Sequence, residues 1–308
     1  MRTTAAGALA AAVQIARVAK AIADDAKGER AGRVQTVLGP IEASKLGFTL
    51  THEHMGGSSA NIFGSRANSA ARAVDRLKEA RDAGISTVVD VTTFDIRRDI
   101  RFCEEISRKS GMHIVVCTGQ HLFADESLSA RTVDEIAELF VREIEQGIEG
   151  TDIKAGVIKV AARSEAMTPA EENVFRGAAR ASKATGVSIE THTNARRRGG
   201  EKQVEIFEAE GLSAARAALG HSDDADDLDY LVGLARRGYT LGMDHINRGN
   251  KPDAPMPWQA RTERIKQLID AGFADRIFLS NDWVHGDAER EKANRTDCYS
   301  PRARRFPI

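Results

Sequence analysis

The stretch FTLTHEH, Phe48 to His54, sets two histidines on either side of one glutamate. On an extended strand alternate side chains share a face, so His52 and His54 project one way and Glu53 the other. Two imidazoles at a strand end could hold a metal ion; a polar strand-to-loop transition would use the same residues. Further along, other ionisable residues close apolar runs. Lys159 does so in AGVIKVA, His192 in SIETHT, His221 in AALGHS and Asp282 in RIFLSND, while Asp244 and His245 end YTLGMDH. Imidazole and carboxylate are ordinary zinc ligands, and a hydrolytic zinc also needs a position left open for water. One histidine on a strand is commonly a hydrogen-bonded core residue. A set that recurs at one end of successive strands is hard to explain as core.

The elements that would carry these groups alternate. Eight β-rich runs begin at Phe48, Ser86, His113, Ala155, Ser188, Ala217, Tyr239 and Arg276. Between them lie stretches such as SAARAVDRLKEARDAG and TVDEIAELFVREIEQGIE, whose apolar residues recur every three or four positions. No glycine-rich nucleotide loop follows any strand. The pattern therefore predicts a (β/α)8 TIM barrel rather than a doubly wound sheet. In such a barrel catalytic groups sit at the C-terminal strand ends, which is where the ionisable residues fall. RVQTVLGPIEA, just before the first strand, reads as a β-hairpin turned at Gly39-Pro40.

The 308 residues carry a net charge of −1 with both signs interspersed, so no basic stripe points to nucleic acid. No apolar run reaches the ~18 residues of a membrane span. Cys103, Cys117 and Cys298 match neither a zinc ribbon nor a disulfide framework. Residues 1–32 are Ala-rich and read as a degraded signal segment or a loosely attached helix outside the fold. The first reading implies a periplasmic or exported protein, the second a cytoplasmic one. Residues 33–287 form the expected barrel. Residues 288–308 form an irregular basic tail without the amphipathic repeat of a closing helix, so the final helix is expected to be missing or altered.

The ordered set THEH, IKVA, THT, GHSDD, MDH and SNDW resembles the phosphotriesterase branch of the amidohydrolase superfamily, from about Arg33 to about Asp287. The resemblance implies a distorted barrel around two divalent ions, usually zinc. His52, His54 and Asp282 would hold the more buried ion, His192 and His221 the more exposed one. Lys159 would bridge both as a carbamate made from carbon dioxide. Burial and neighbouring cations favour the neutral amine which that addition needs. The implied reaction is attack by metal-bound hydroxide on a phosphotriester, with Asp282 taking the proton and His245 and Asp224 relaying it. Asp224 has a second reading, because SDDADDLDYL also looks like an acidic helix N-terminus.

The substrate pocket expected from the resemblance comprises Ile96 in TFDIRRDI, His121 and Leu122 in CTGQHLF, and Trp283. His245 after Asp244 points towards organophosphate hydrolases of the aryldialkylphosphatase kind. His121 stands where their leaving-group tryptophan is expected and points away. A lactonase or aryl esterase of the same family is the alternative. A barrel that only binds ligands, inactive through its altered C-terminus, is the alternative from another class. The partner implied is a small ester, with room for a homodimer.

Overall fold

The computed structural model describes residues 32–55, 63–121, 130–250 and 256–285, together with Leu128. All but Gly32 of the extension at 1–32, the tail at 288–308 and the region where the final helix is expected to be missing lie outside the described residues, as does Leu122.

A two-stranded antiparallel hairpin, β1 (Arg33–Thr36) and β2 (Gly39–Glu42), comes first. It turns at Val37-Leu38, not at Gly39-Pro40 as the sequence suggested. The Thr36 hydroxyl bridges the turn, donating to the Gly39 carbonyl at 2.6 Å and accepting from the Leu38 amide. Val37 is buried and its amide donates to Ile114, which pins the hairpin across the N-terminal end of the barrel. Pro40 lies within β2, where an edge position tolerates a missing amide.

The body is an eight-stranded parallel sheet in sequential order: β3 (Phe48–Glu53), β4 (Ile85–Asp90), β5 (His113–Gln120), β6 (Val157–Ala161), β7 (Ile189–His192), β8 (Ala217–Leu219), β9 (Thr240–Met243) and β10 (Ile277–Leu279). β-branched residues crowd these strands, as expected where both faces are covered. Among the described residues helices follow seven of them: α1 (Arg66–Asp82), α2 (Ile100–Ser110), α3 (Val133–Glu145), α4 (Pro169–Thr185), α5 (Gly199–Ala209), α6 (Leu228–Arg236) and α7 (Trp258–Asp270). Their starts are chemically marked. Thr132 and Thr168 form capping boxes with Glu135 and Glu171, and Pro169 opens α4, where its missing amide costs nothing.

The ring closes beyond β10 itself. β10 ends at Leu279, so Asp282 lies three residues past the strand rather than at its end. The chain from Asp282 to His285 runs parallel to β3, with the Asp282 amide donating to the His52 carbonyl, the His54 amide to Trp283 and the His285 amide to His54. Asp282 reaches this path with φ +46°, a left-handed conformation unusual for a residue with a side chain.

Candidate active site at the strand ends

The strand alternation read in HEH holds. His52 and His54 face the barrel interior mouth, and Glu53 faces the closing segment. Burial pushes the Glu53 carboxyl up to about 8 even though three donors point at it. They are the Ser280 hydroxyl at 2.7 Å, the Asn281 amide at 2.9 Å and the Trp283 amide at 2.7 Å. Glu53 is thus the clamp that holds Asp282 in place, a role the sequence reading missed.

Each inward histidine is fixed through one ring nitrogen, which leaves the other for a ligand. His52 Nδ1 meets Glu190 at 2.9 Å and Asp244 at 3.1 Å, while Nε2 lies 2.7 Å from Lys159 Nζ. His54 Nδ1 lies 3.1 Å from the Thr92 hydroxyl, which itself donates to Asp90 at 2.5 Å. With that hydroxyl proton committed, His54 Nδ1–H is the donor and Nε2 is bare, 3.4 Å from Asp282 Oδ1. His221 Nδ1 bonds Asp244 at 2.8 Å, and its Nε2 faces His192 Nδ1 at 2.7 Å. Carboxylate and hydroxyl partners behind metal-binding histidines are the usual way such ligands are oriented. Asp244, seen in the sequence only as the neighbour of His245, anchors two of them.

Two glycines make these approaches feasible. A Cβ on Gly119 would sit 1.8 Å from the Lys159 carbonyl oxygen, and one on Gly220 would press on the Thr191 carbonyl at 2.1 Å and the His52 ring at 3.0 Å. His221, next to Gly220, adopts φ +58°. Left-handed backbone costs a residue with a side chain about 1–3 kcal/mol, so the fold around His221 and Asp282 holds both in a strained state.

Electrostatics divides the histidines into two kinds. Burial holds His52 down to about 3 and His121 to about 2, and it lowers His192 and His221 as well. These imidazoles are neutral bases, the form that binds metal. Lys159, completely buried, is also lowered by burial, against the pull of Glu190, Asp282 and Asp244. His245 goes the other way. Burial would lower it, but hydrogen bonds to Asp224 and Asp282 outweigh burial and raise it to about 9. Its Nδ1 lies 2.9 Å from Asp224 Oδ2 and its Nε2 3.1 Å from Asp282 Oδ2.

Asp224 turns inward because the helix cap falls to another residue: Asp227 accepts the Tyr230 amide at the start of α6. Arg261 on α7 braces both acids, reaching Asp223 at 3.1 Å and Asp224 at 2.7 Å. Asp282 also pairs with Arg248.

His52, His54 and Asp282 offer donor atoms all within 4.8 Å of one another, and the set His52, His221 and Asp244 does the same. Neutral nitrogens facing each other with carboxylates alongside form a donor set that suits divalent ions. His121 sits over this group, its ring 5.4 Å from that of His192 and 6.1 Å from that of His54, with Nδ1 buried and unpartnered. Its amide donates to Asp95, so the 94–96 turn that carries Ile96 borders the same mouth. Trp283 is placed differently: it is buried in the apolar core with its ring 5.6 Å from that of His285. A cavity of about 200 Å³ opens over His192, His221 and His245. A larger cleft of about 460 Å³, lined by residues of α3 and α4, lies on the outer wall and holds none of the strand-end residues.

The phosphotriesterase family model matches residues 32–300. An aryldialkylphosphatase from Saccharolobus solfataricus is 36% identical over 251 residues, 79% of either chain. A phosphotriesterase homology protein from Mycobacterium tuberculosis is 35% identical over 265 residues, 81% of this chain and 80% of its own. An N-acetyltaurine hydrolase from Rattus norvegicus is 27% identical over 293 residues, covering 82% of this chain and 84% of its own.

Proposed function

The chain belongs to the phosphotriesterase family of metal-dependent hydrolases, and from that premise we propose that it cleaves phosphotriesters of the aryl dialkyl kind with two divalent ions, zinc by preference. The observation that carries the reading is the convergence of His52, His54, Lys159, His192, His221 and Asp282, from five stretches of chain, on one barrel mouth, with burial holding His52, His192 and His221 neutral. His52, His54 and Asp282 would hold one ion and His192 and His221 the other. Lys159 would bridge them as a carbamate: its neutral amine adds to carbon dioxide and releases one proton. Bound there, the ions would polarise the scissile P=O or C=O group and lower the pKa of water.

The chain's own groups do the rest. Asp282 would take the proton of the attacking water. His245, bonded to carboxylates through both nitrogens, passes a proton from Asp282 towards Asp224 at the cavity edge. The Glu53 clamp and the Asp90–Thr92–His54 chain keep these atoms from drifting. Ile96 and His121 would border the leaving group, and Trp283 supports the segment behind Asp282.

A second reading, hydrolysis of a carbonyl substrate such as a lactone, aryl ester or amide, is favoured by the relative named for N-acetyltaurine and by a histidine rather than an aromatic wall at position 121. The test is to reconstitute the protein with zinc and bicarbonate, measure metal content, and assay a paraoxon-like triester beside lactones, aryl esters and N-acyl amides. About two ions per chain with triester turnover is expected. Turnover of lactones or amides far above any triester would replace the first reading by the second.

A further inference from the structure

Three arginines recur at one structural position. Arg163 lies four residues beyond Lys159, Arg196 four beyond His192 and Arg248 four beyond Asp244. Each is therefore in the loop leaving a strand whose end carries a site residue, and all three line the cavity over His192, His221 and His245. Asp224, the one acidic residue on that lining, is already committed to His245 and Arg261. Its neighbours show that surplus cations are not the rule here. Arg197 pairs with Glu165, and Arg198 with Glu201 and Asp227, whereas among the described residues no carboxylate pairs with Arg196. Arg248 uses one guanidinium nitrogen on Asp282, and its Nε is buried without a partner.

A cavity rim of three guanidinium groups, above His192, His221 and the cationic His245, is poorly matched to an uncharged triester. Guanidinium binds oxyanions through paired, planar hydrogen bonds. We propose that the substrate carries a remote oxyanion substituent, of the carboxylate type, which Arg163, Arg196 and Arg248 hold while the scissile bond lies over the strand-end site. This specificity rests on the hydrolase reading above and adds the charge of the substrate to it.

The experiment uses the full metal-reconstituted chain and two probes that differ only in distant charge: diethyl 4-(carboxymethyl)phenyl phosphate and its methyl ester. The acid is expected to show kcat/KM about tenfold above the ester, with the preference shrinking at high salt as exposed charges are screened. In the Arg163→Gln/Arg196→Gln double variant the ratio should fall to near one. Both side chains are exposed, so folding should persist, and an unchanged melting temperature checks this. A second arm needs no turnover: calorimetric binding of 4-hydroxyphenylacetate against 4-hydroxyphenylacetamide, expected to favour the acid about tenfold in the parent and to show no preference in the double variant. Equal handling of acid and neutral probe by the parent overturns the proposal. So does an acid preference that survives the double substitution, since the carboxylate is then bound elsewhere. If neither phosphate is cleaved while the acid still binds through the arginines, the hydrolase reading falls and the anion site stands.

Discussion

At the scale of single residues, protonation separates the tasks. Burial keeps four histidines neutral and lowers Lys159 from the ordinary amine value, while two carboxylates keep His245 cationic. Lys159→Ala should abolish most activity, and small carboxylic acids should partly restore it, because a free carboxylate offers the same two oxygens as a carbamate. Full activity in the untreated variant would show that Lys159 is no bridge. For His245 the linkage has a definite sign. Its folded value of about 9 exceeds the ordinary 6.5, so its contribution to stability is complete below pH 6.5 and is lost as the pH rises through 9. The full contribution is about 3 kcal/mol. In chelator-treated protein the urea midpoint should fall between pH 6.5 and 9, and His245→Gln should flatten that part of the profile. An unchanged slope in the variant would place the cation elsewhere.

At the scale of elements, the closure of the ring is the part that sequence showed least. The eight strands and the inward histidines were legible, because β-branched runs and a period of two are local signals. The alternation also placed Glu53 on the opposite face from its neighbours, but nothing local said what it would meet. Its partners, Ser280, Asn281 and Trp283, lie more than two hundred residues away. The anchoring roles of Asp90, Glu190 and Asp244 were hidden for the same reason: a carboxylate that orients a histidine is recognised only once the strands lie side by side. Trp283 follows Asp282 in sequence, yet strand alternation sends its ring into the core and not over the mouth. Glu53→Gln tests the clamp. Its amide group would oppose the donors it replaces, and losing a buried bond of this kind costs about 2 kcal/mol. Urea unfolding should register that loss, and metal should leave the variant faster under chelator because Asp282 is the residue the clamp holds. A variant as stable as the parent would mean that the backbone bonds between β3 and residues 282–285 suffice.

For the whole molecule, the same mouth that would perform chemistry also ties distant parts of the barrel together. The candidate ligands come from β3, β6, β7, the turn after β8 and the closing segment, so bound ions would cross-link both sides of the seam where β3 meets residues 282–285. Without them, His221 and Asp282 must hold left-handed backbone on hydrogen bonds alone. An ion present at a hundred times its dissociation constant adds about 2.7 kcal/mol to the folded state. For a chain of this size that corresponds to a rise of roughly 4 °C in melting temperature for each ion. Chelation should therefore lower the melting temperature by about that much, and zinc with bicarbonate should restore it. The His52→Ala/His54→Ala variant should melt lower than the parent and respond little to either treatment, because two candidate ligands on β3 are gone. A parent whose melting temperature ignores the chelator, while elemental analysis confirms that the metal has left, would show that the barrel closes without its ions and that the strained ligands are held by the polypeptide alone.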